Sequence, residues 1–434
     1  MTPGMKASAD AMNDAALPTT LNAWLARLEV AHPVGIDLGL ERVAEVARRM
    51  GLLDRPIAER VITVAGTNGK GSTVAMLEAL ARAHDRTTAA YTSPHLVRYN
   101  ERLRLDGEEA CDATLMAGFA AVEQARLAGE PVSLTYFEAG TLGALWAIAR
   151  RAPDLAILEV GLGGRLDAVN VIDPDVAVVT TVAQDHAAFL GTDIEQIGRE
   201  KAGILRPGRP AVLGSRDLPA SVREVAAELG APVHAIGEAF AWDPALPDPG
   251  LPLDNAATAL KACELAGVEL DADACRRALA GVRLPGRMQW LGQWCLDVGH
   301  NPHAARYLAG RLAARPCAGR TWALLAMLGD KDADGVIEAL APAVDVWVTA
   351  TLAGERARSA EELAGRLNAR GADVAHRAAS PAAAAAWLAA RLAPEDRVLV
   401  CGSFFTVGEV LEWLASRDEA AQTVSDSSGS EEAQ

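Results

Sequence analysis

Val61-Ile-Thr-Val-Ala-Gly-Thr-Asn-Gly-Lys-Gly-Ser-Thr73 reads as a β-branched strand running into a glycine-rich turn and then a helix. Gly66, Gly69 and Gly71 let the backbone take positive φ and approach a ligand closely, so that successive N–H groups and the helix N-terminus converge on an anion. Lys70 then reaches the terminal phosphates. The spacing departs from the common P-loop, because only Thr67 and Asn68 stand between Gly66 and Gly69-Lys70, and Gly71 separates Lys70 from Ser72. A turn that merely joins strand to helix has no use for the lysine. Nucleotide phosphate binding is therefore the better reading.

Outward from this stretch, strand-like runs alternate with helical ones. Thr87 to Tyr91, Leu155 to Val160 and Val176 to Thr181 are strands that end on polar clusters: Thr92-Ser-Pro-His95, Gly161-Leu-Gly-Gly-Arg-Leu-Asp167 and Gln184-Asp-His186. Such alternation predicts a doubly wound, mostly parallel sheet with its ligands at the carboxyl ends of the strands. The proline- and aspartate-rich run 239–253 is a loop, and Leu284-Pro-Gly-Arg-Met288 has the punctuation of a linker. Beyond it Trp294 to Val298, Thr321 to Met327, Val344 to Thr349 and Arg397 to Cys401 form a second, smaller, Rossmann-like α/β unit, with an alanine-rich helix over 378–393. The expected organisation is a loose leader over 1–20, a P-loop domain over 21–284, a C-terminal domain over 285–417 and a disordered tail over 418–434.

A chain of 434 residues with 50% hydrophobic composition supports two cores, and its net charge of -16 argues against a general nucleic-acid surface. Six scattered cysteines without a Cys-x-x-Cys pair fit reduced thiols rather than a disulfide frame or zinc site. Neither a signal segment nor a run of membrane-spanning length is present in the sequence, so a cytoplasmic protein without a membrane partner is expected.

Single residues leave alternatives open. Glu159 lies in an apolar strand, where an unpaired carboxylate is costly, so it needs a cation or a donor fork such as Arg165. His186 reads either as a metal ligand or as a hydrogen-bonded core histidine. Asp37 reads as a cap for the helical run that ends at Met50. Lys201 reads as a solvated helix residue or a chemically altered one.

The loop variant, together with Ile36-Asp-Leu-Gly-Leu40, Thr92-Ser-Pro-His95, Leu158-Glu-Val-Gly-Leu-Gly-Gly-Arg165, Asp185-His186, Glu200-Lys-Ala-Gly203, Leu284-Pro-Gly-Arg287, Asp297-Val-Gly-His-Asn-Pro-His303, Gly329-Asp-Lys-Asp332 and Cys401-Gly-Ser-Phe-Phe-Thr-Val407, resembles the folylpolyglutamate synthase and dihydrofolate synthase family, a branch of the Mur ligase superfamily. The resemblance runs from about Leu21 to Trp413. It departs at Gly299, where the family usually has alanine, and at Gln184, where it has leucine.

What the resemblance implies is an ATP-dependent amide ligase. It activates a pteroate or folate carboxylate as an acyl phosphate, and the amine of L-glutamate displaces the phosphate. ATP contacts fall to Thr67, Asn68, Gly69, Lys70, Gly71 and Ser72, with Asn255 at the base, Arg287 at phosphate and Asp297 at the ribose. Magnesium falls to Ser93, Glu159 and His186, with two ions expected and potassium admitted. Pterin or folate contacts fall to Asp37, Leu38, Thr135, Tyr136, Phe137, Glu138, Leu166, Asp167 and Ala168, and the C-terminal glutamate site to His300 and Asn301. Lys70, Glu159, His186 and Lys201 are the catalytic set, Lys201 being carboxylated. The segments Ile36 to Leu40 and Thr135 to Glu138 favour dihydropteroate as one substrate beside tetrahydrofolates, hence a bifunctional, monomeric enzyme. Two alternatives share the cradle: a Mur-type peptidoglycan ligase, for which the stretch before the loop is short, and a nucleotide-gated binding protein without ligase activity.

Overall fold

Residues 61–65 are fully buried, as the centre of a parallel sheet covered on both faces requires, and they form β1 (Arg60–Ala65). The computed structural model, which describes residues 17–354 and 356–429, surrounds β1 with β2 (Thr88–Tyr91), β3 (Leu103–Leu105), β4 (Glu108–Glu109), β5 (Leu155–Glu159), β6 (Val176–Val179), β7 (Ala211–Leu213) and β8 (Val233–Ala235). Their order across the sheet is β4-β3-β2-β5-β1-β6-β7-β8, parallel from β2 to β8 and antiparallel at the β2-β3-β4 edge. Val64 lies beside Glu159 on one side and Val178 on the other, so three strand ends open at one level. Side chains alternate across the pleat: Ile62 and Val64 pack under helices Lys70–Ala83 and Leu253–Leu265, while Val61 and Leu158 join the core built with helices Asp112–Leu127 and Tyr136–Arg151. A crevice beyond the end of β1, between helices on opposite faces, is where such a sheet binds ligands.

The second sheet runs β13-β12-β11-β14-β10-β9, with β9 (Gln289–Leu291), β10 (Trp294–Leu296), β11 (Thr321–Leu325), β12 (Val346–Ala350), β13 (Val374–Ala378) and β14 (Arg397–Cys401). All its pairs are parallel except β9 with β10. The doubly wound sheet followed by a smaller α/β unit is thus present. Apolar runs did not flag β13, an edge strand that leaves Ala375 and Arg377 exposed, nor the short β3, β4, β7, β8 and β9. The expected leader lies outside the described residues over 1–16, while Thr20 caps helix Leu21–Glu29. The last helix, Phe404–Gly429, carries helical backbone through 418–429, part of the segment expected to be disordered; Glu419, Ala420, Ala421 and Gln422 are good helix formers that extend it. Residues 430–434 lie outside the described residues. Among the described residues no helix is long and apolar enough to cross a membrane.

Leu158 is fully buried mid-sheet, whereas Leu291 on an edge strand is 40% exposed. Leu158→Ala is expected to destabilise the protein by about 2–5 kcal/mol and Leu291→Ala by less than about 1 kcal/mol, read from the first transition in urea denaturation.

Candidate active site

The glycine turn is clasped from the next strand end. Asn68 N–H donates to Thr181 Oγ1 (2.9 Å), while the Thr180 and Thr181 hydroxyls donate to the Asn68 carbonyl (2.7 and 3.0 Å). Gly69 takes φ +86°, and a Cβ there would stand 2.7 Å from Asn255 Nδ2. At Gly66 it would stand 1.9 Å from Thr180 Oγ1. These two glycines are thus dictated by close approach as well as by the turn. Ser72 and Thr73 fold their hydroxyls back on the Gly69 carbonyl, and Asn255 Nδ2 donates to Ser72 Oγ at 2.8 Å. Asn255, expected at the base, here braces the cradle. Lys70 curls over the turn and donates to the Gly66 carbonyl at 2.9 Å, its charge lowered in affinity for a proton by burial and supported by Glu159 and Asp185.

A cavity of 540 Å³ opens above the cradle, between the two sheets. It is lined by Thr67 to Ser72, Ser93, Glu159, His186, Asn255, Arg287, Asp297 and His300, so the residues assigned from sequence to nucleotide and metal do come together. Glu159 is buried, and burial raises its carboxyl against the opposing charges of Lys70 and Arg287. It accepts the Ser93 N–H at 3.3 Å. Arg165 is not its partner: that guanidinium projects outward and grips Glu200 at 2.8 Å, because the loop after β5 turns it toward helix Ile194–Ala202. His186 holds a left-handed backbone (φ +52°) at the end of the β6 loop, and burial pulls its imidazole down to about 4, so it is neutral at physiological pH with a lone pair free for a cation. A carboxylate, a hydroxyl and an imidazole facing one cavity suit a hard dication, although among the described residues no group of three or more His, Cys, Asp or Glu is arranged to hold a metal ion by itself. Gln184, the departure beside these groups, turns away and donates to the Thr192 carbonyl.

Lys201 is not a solvated helix residue. It is 4% exposed and, with Lys70, Asp185 and His186, lines a small second cavity behind the cradle. Burial, then the Lys70 ammonium, pulls its amine down to about 7.

The C-terminal unit closes the cleft through side chains. Asn68 and Asn301 exchange amide hydrogen bonds in both directions (3.1 and 2.9 Å), and Asn301 also caps helix Pro302–Ala313. Asp185 receives Lys331 Nζ at 2.5 Å and faces His300 Nε2 at 3.3 Å. His300 and Asn301, expected to contact glutamate, are therefore interdomain contacts in this state. Asp297, expected at the ribose, is held by the N–H groups of Met288 and Gly299, and Arg287 lies over Phe404. Lys331 and Asp185 carried no role in the sequence reading; a signal was available, since the chain has only five lysines and one stands in Gly329-Asp-Lys-Asp332.

The residues expected to hold a pterin lie outside the 540 Å³ cavity. Asp37 does not cap a helix: the helix Glu41–Arg49 starts after Leu40, and Asp37 pairs with Arg42 at 2.7 Å. Arg42 also reaches Glu138, so these segments do meet, with Leu38 half-buried nearby in sequence. Thr135 and Glu138 form a reciprocal capping box for helix Tyr136–Arg151, a structural duty for both. Phe137 packs against the Gly161 backbone, and Tyr136 packs edge-on against Tyr99. Asp167 accepts from the Leu162 and Val169 N–H groups and shapes the loop after β5, where Ala168 is buried and Leu166 half-buried. Burial raises the Asp167 carboxyl to about 6.

Comparison with known proteins accounts for this geometry. Residues 64–240 match the Mur ligase middle domain and residues 286–404 the Mur ligase, glutamate ligase domain. The chain is 46% identical over 418 residues to the dihydrofolate synthase/folylpolyglutamate synthase of Escherichia coli, covering 92% of this chain and 96% of that one, and 38% identical to the protein of that name from Haemophilus influenzae, covering 92% and 99%. Escherichia coli FolC in complex with DHPP and ADP superposes with a TM-score of 0.88 at 44% identity, covering 93% of this chain and 100% of that one. The Yersinia pestis bifunctional folylpolyglutamate synthase/dihydrofolate synthase complexed with AMPPNP and Mn ion gives 0.86 at 44%, covering 92% and 99%; a structure of a protein of that name with Mn, AMPPNP and L-glutamate bound gives 0.85 at 44%, covering 92% and 99%. At 46% identity over 92% of its length to a relative of that name, and with both Mur ligase domains matched, the chain belongs to the dihydrofolate synthase/folylpolyglutamate synthase family of Mur ligases.

Proposed function

We propose that this protein joins L-glutamate to dihydropteroate, and to reduced folates, at the expense of ATP. The observation that carries the reading is the convergence of Lys70, Glu159, His186 and Arg287 on one cavity between the two sheets. The relatives that bind DHPP, ADP, AMPPNP, Mn and L-glutamate support it. In this reading Lys70 and the Asn68 to Ser72 backbone hold the β- and γ-phosphates, and Arg287 adds charge from the C-terminal side. A carboxylate oxygen of the pteroate attacks the γ-phosphorus and ADP leaves; the glutamate amine then attacks the acyl carbon and phosphate leaves. Charge spread over the phosphoryl oxygens is met by donors already in place. A dication held by Ser93, Glu159 and His186 would screen that charge. The pterin end is assigned to the Asp37, Arg42 and Glu138 cluster, with Phe137 and the Asp167 loop. Small-molecule substrates, a cytoplasmic setting and a single copy of the chain suffice, with the unit boundary at 284/285.

The Lys201 amine, neutral in part at pH 7, can add to CO₂ with loss of its proton, which replaces a buried cation by an anionic oxygen group facing Lys70. We assign the carboxylated lysine to this position. Likeness over the full length favours folate ligation above the muramyl ligase, and above a binder without turnover.

Phosphate release on mixing the protein with ATP, dihydropteroate and L-glutamate tests the whole reading; release that needs all three is expected, and turnover only with a muramyl nucleotide would overturn it. Lys70→Ala is expected to lower turnover at least about a hundredfold with an unchanged circular dichroism spectrum; wild-type rates would remove the cradle assignment.

In the ligand-free, CO₂-depleted protein the depressed Lys201 amine has a definite pH signature. Its folded value of about 7 lies below the unfolded value of about 10.4, so the unfolded chain binds the extra proton between them and stability rises with pH across that window. Lys201→Met is therefore expected to melt several degrees above wild type at pH 6, with the gap closing toward pH 10. Equal melting temperatures at pH 6 would mean the amine is solvated. Lys201→Ala is expected to lose most activity and recover part of it with added small carboxylic acids.

A further inference from the structure

Asp185 has more duties than any single role in phosphoryl transfer explains. Its Oδ1 accepts the His186 backbone N–H at 2.8 Å and Lys331 Nζ at 2.5 Å. Its Oδ2 faces His300 Nε2 at 3.3 Å and His186 Nε2 at 4.0 Å. Two of these groups come from its own sheet and two from the other. The carboxylate and the Lys331 ammonium are each more than nine-tenths buried, and Asp185 lines both the main cavity and the small one that holds Lys201.

Lys331 is not a free arm that happens to land there. The loop carrying it is braced by Arg358, whose Nη2 donates to the Gly329 and Lys331 carbonyls at 2.7 and 3.0 Å. Asp330 Oδ2, at 3.7 Å, is the ammonium's second anionic neighbour and lies on the C-terminal side. Docking the two sheets takes the ammonium and the carboxylate out of water together, a cost that their direct contact offsets. Burial by itself would raise the Asp185 carboxyl, yet the His300 and Lys331 contacts hold it well below the ordinary range, so it is an anion in this arrangement.

Resting on the ligase reading above, we propose that Asp185 is a positioning residue and Lys331 its interdomain partner: their contact fixes the His186 loop only when the C-terminal unit has docked. His186 sits in a left-handed backbone conformation at the head of a helix of only four residues, Ala187–Leu190, so little else in its own segment fixes its direction. The Asp185 carboxylate supplies that fixing from the adjacent residue, and the Lys331 ammonium fixes the carboxylate. Docking and imidazole placement thus become one event. Among the chain's five lysines, Lys70, Lys201 and Lys331 then have three separate tasks around one cleft: phosphate, carbamate and closure.

The test compares Lys331→Met, Lys331→Arg, Asp185→Asn and the Asp185→Asn/Lys331→Met pair with wild type in ATP-, dihydropteroate- and glutamate-dependent turnover, alongside the radius of gyration of the ligand-free protein by small-angle scattering. Wild-type turnover checks the ligase reading on its own; the variants check the positioning role. Lys331→Met and Asp185→Asn are each expected to lower kcat about ten- to hundredfold, with KM for ATP within about threefold, in the range usual for residues that orient a ligand. The double variant is expected to fall no further than the worse single one, because both remove the same contact. Each neutral variant is expected to enlarge the radius of gyration, and Lys331→Arg to keep at least a third of kcat with the compact radius. Multiplying losses, an unchanged radius with unchanged kcat in Lys331→Met, or Lys331→Arg falling as far as Lys331→Met would each overturn the proposal. Should Lys331→Met fail to fold by circular dichroism, Lys331→Arg and the isosteric Asp185→Asn decide it by the same readouts.

Discussion

Buried charge that neither sheet can satisfy alone is the constraint around which this protein is built. Lys70, Glu159 and Asp185 lie where strands of the first sheet end and Lys201 reaches the same place from helix Ile194–Ala202; Glu159, Asp185 and Lys201 are nearly without solvent. Burial pushes Glu159 toward its neutral acid and Lys201 toward its neutral amine, while Asp185 is kept ionised by groups from the second sheet. A protein interior accepts such groups when partners arrive from elsewhere. Here the second sheet supplies them for Asp185, through Lys331 and His300.

The backbone serves the same end. Parallel strands put β1, β5 and β6 in register, so that the glycine turn, Glu159 and the Thr180-Thr181 pair emerge side by side. Thr180 and Thr181 hold the Asn68 carbonyl and N–H, and the Thr181 carbonyl accepts the Thr67 N–H, so the turn is fixed before any ligand arrives. Asn255 and Asn301 brace the cradle from two other elements. Rigidity of this kind lets donors meet a developing charge without rearranging.

Much of this was legible in the sequence because its chemistry is local. A glycine turn with a lysine between strand and helix needs no tertiary knowledge, and the strand-end clusters follow from alternating patterns. What sequence could not supply was pairing across space. Arg165 stood close to Glu159 in the chain and was the natural partner, yet a turn of the loop gave it to Glu200. Asp37 had the composition of a cap, but Arg42 claimed it. The docking set of Asp185, His300 and Lys331 spans 146 residues between its ends, which no local pattern reveals. Lys201 illustrates the same limit, since the burial that distinguishes it from an ordinary surface lysine is a property of the assembled cleft.

The central claim is that a carboxylate is activated by phosphate before the amine attacks. Dihydropteroate labelled with ¹⁸O in its carboxylate tests it most directly, by mass analysis of the phosphate released with ATP and L-glutamate. Transfer through an acyl phosphate must deliver one carboxylate oxygen to phosphate, so singly labelled phosphate is predicted. Product formation with phosphate free of label would contradict the account.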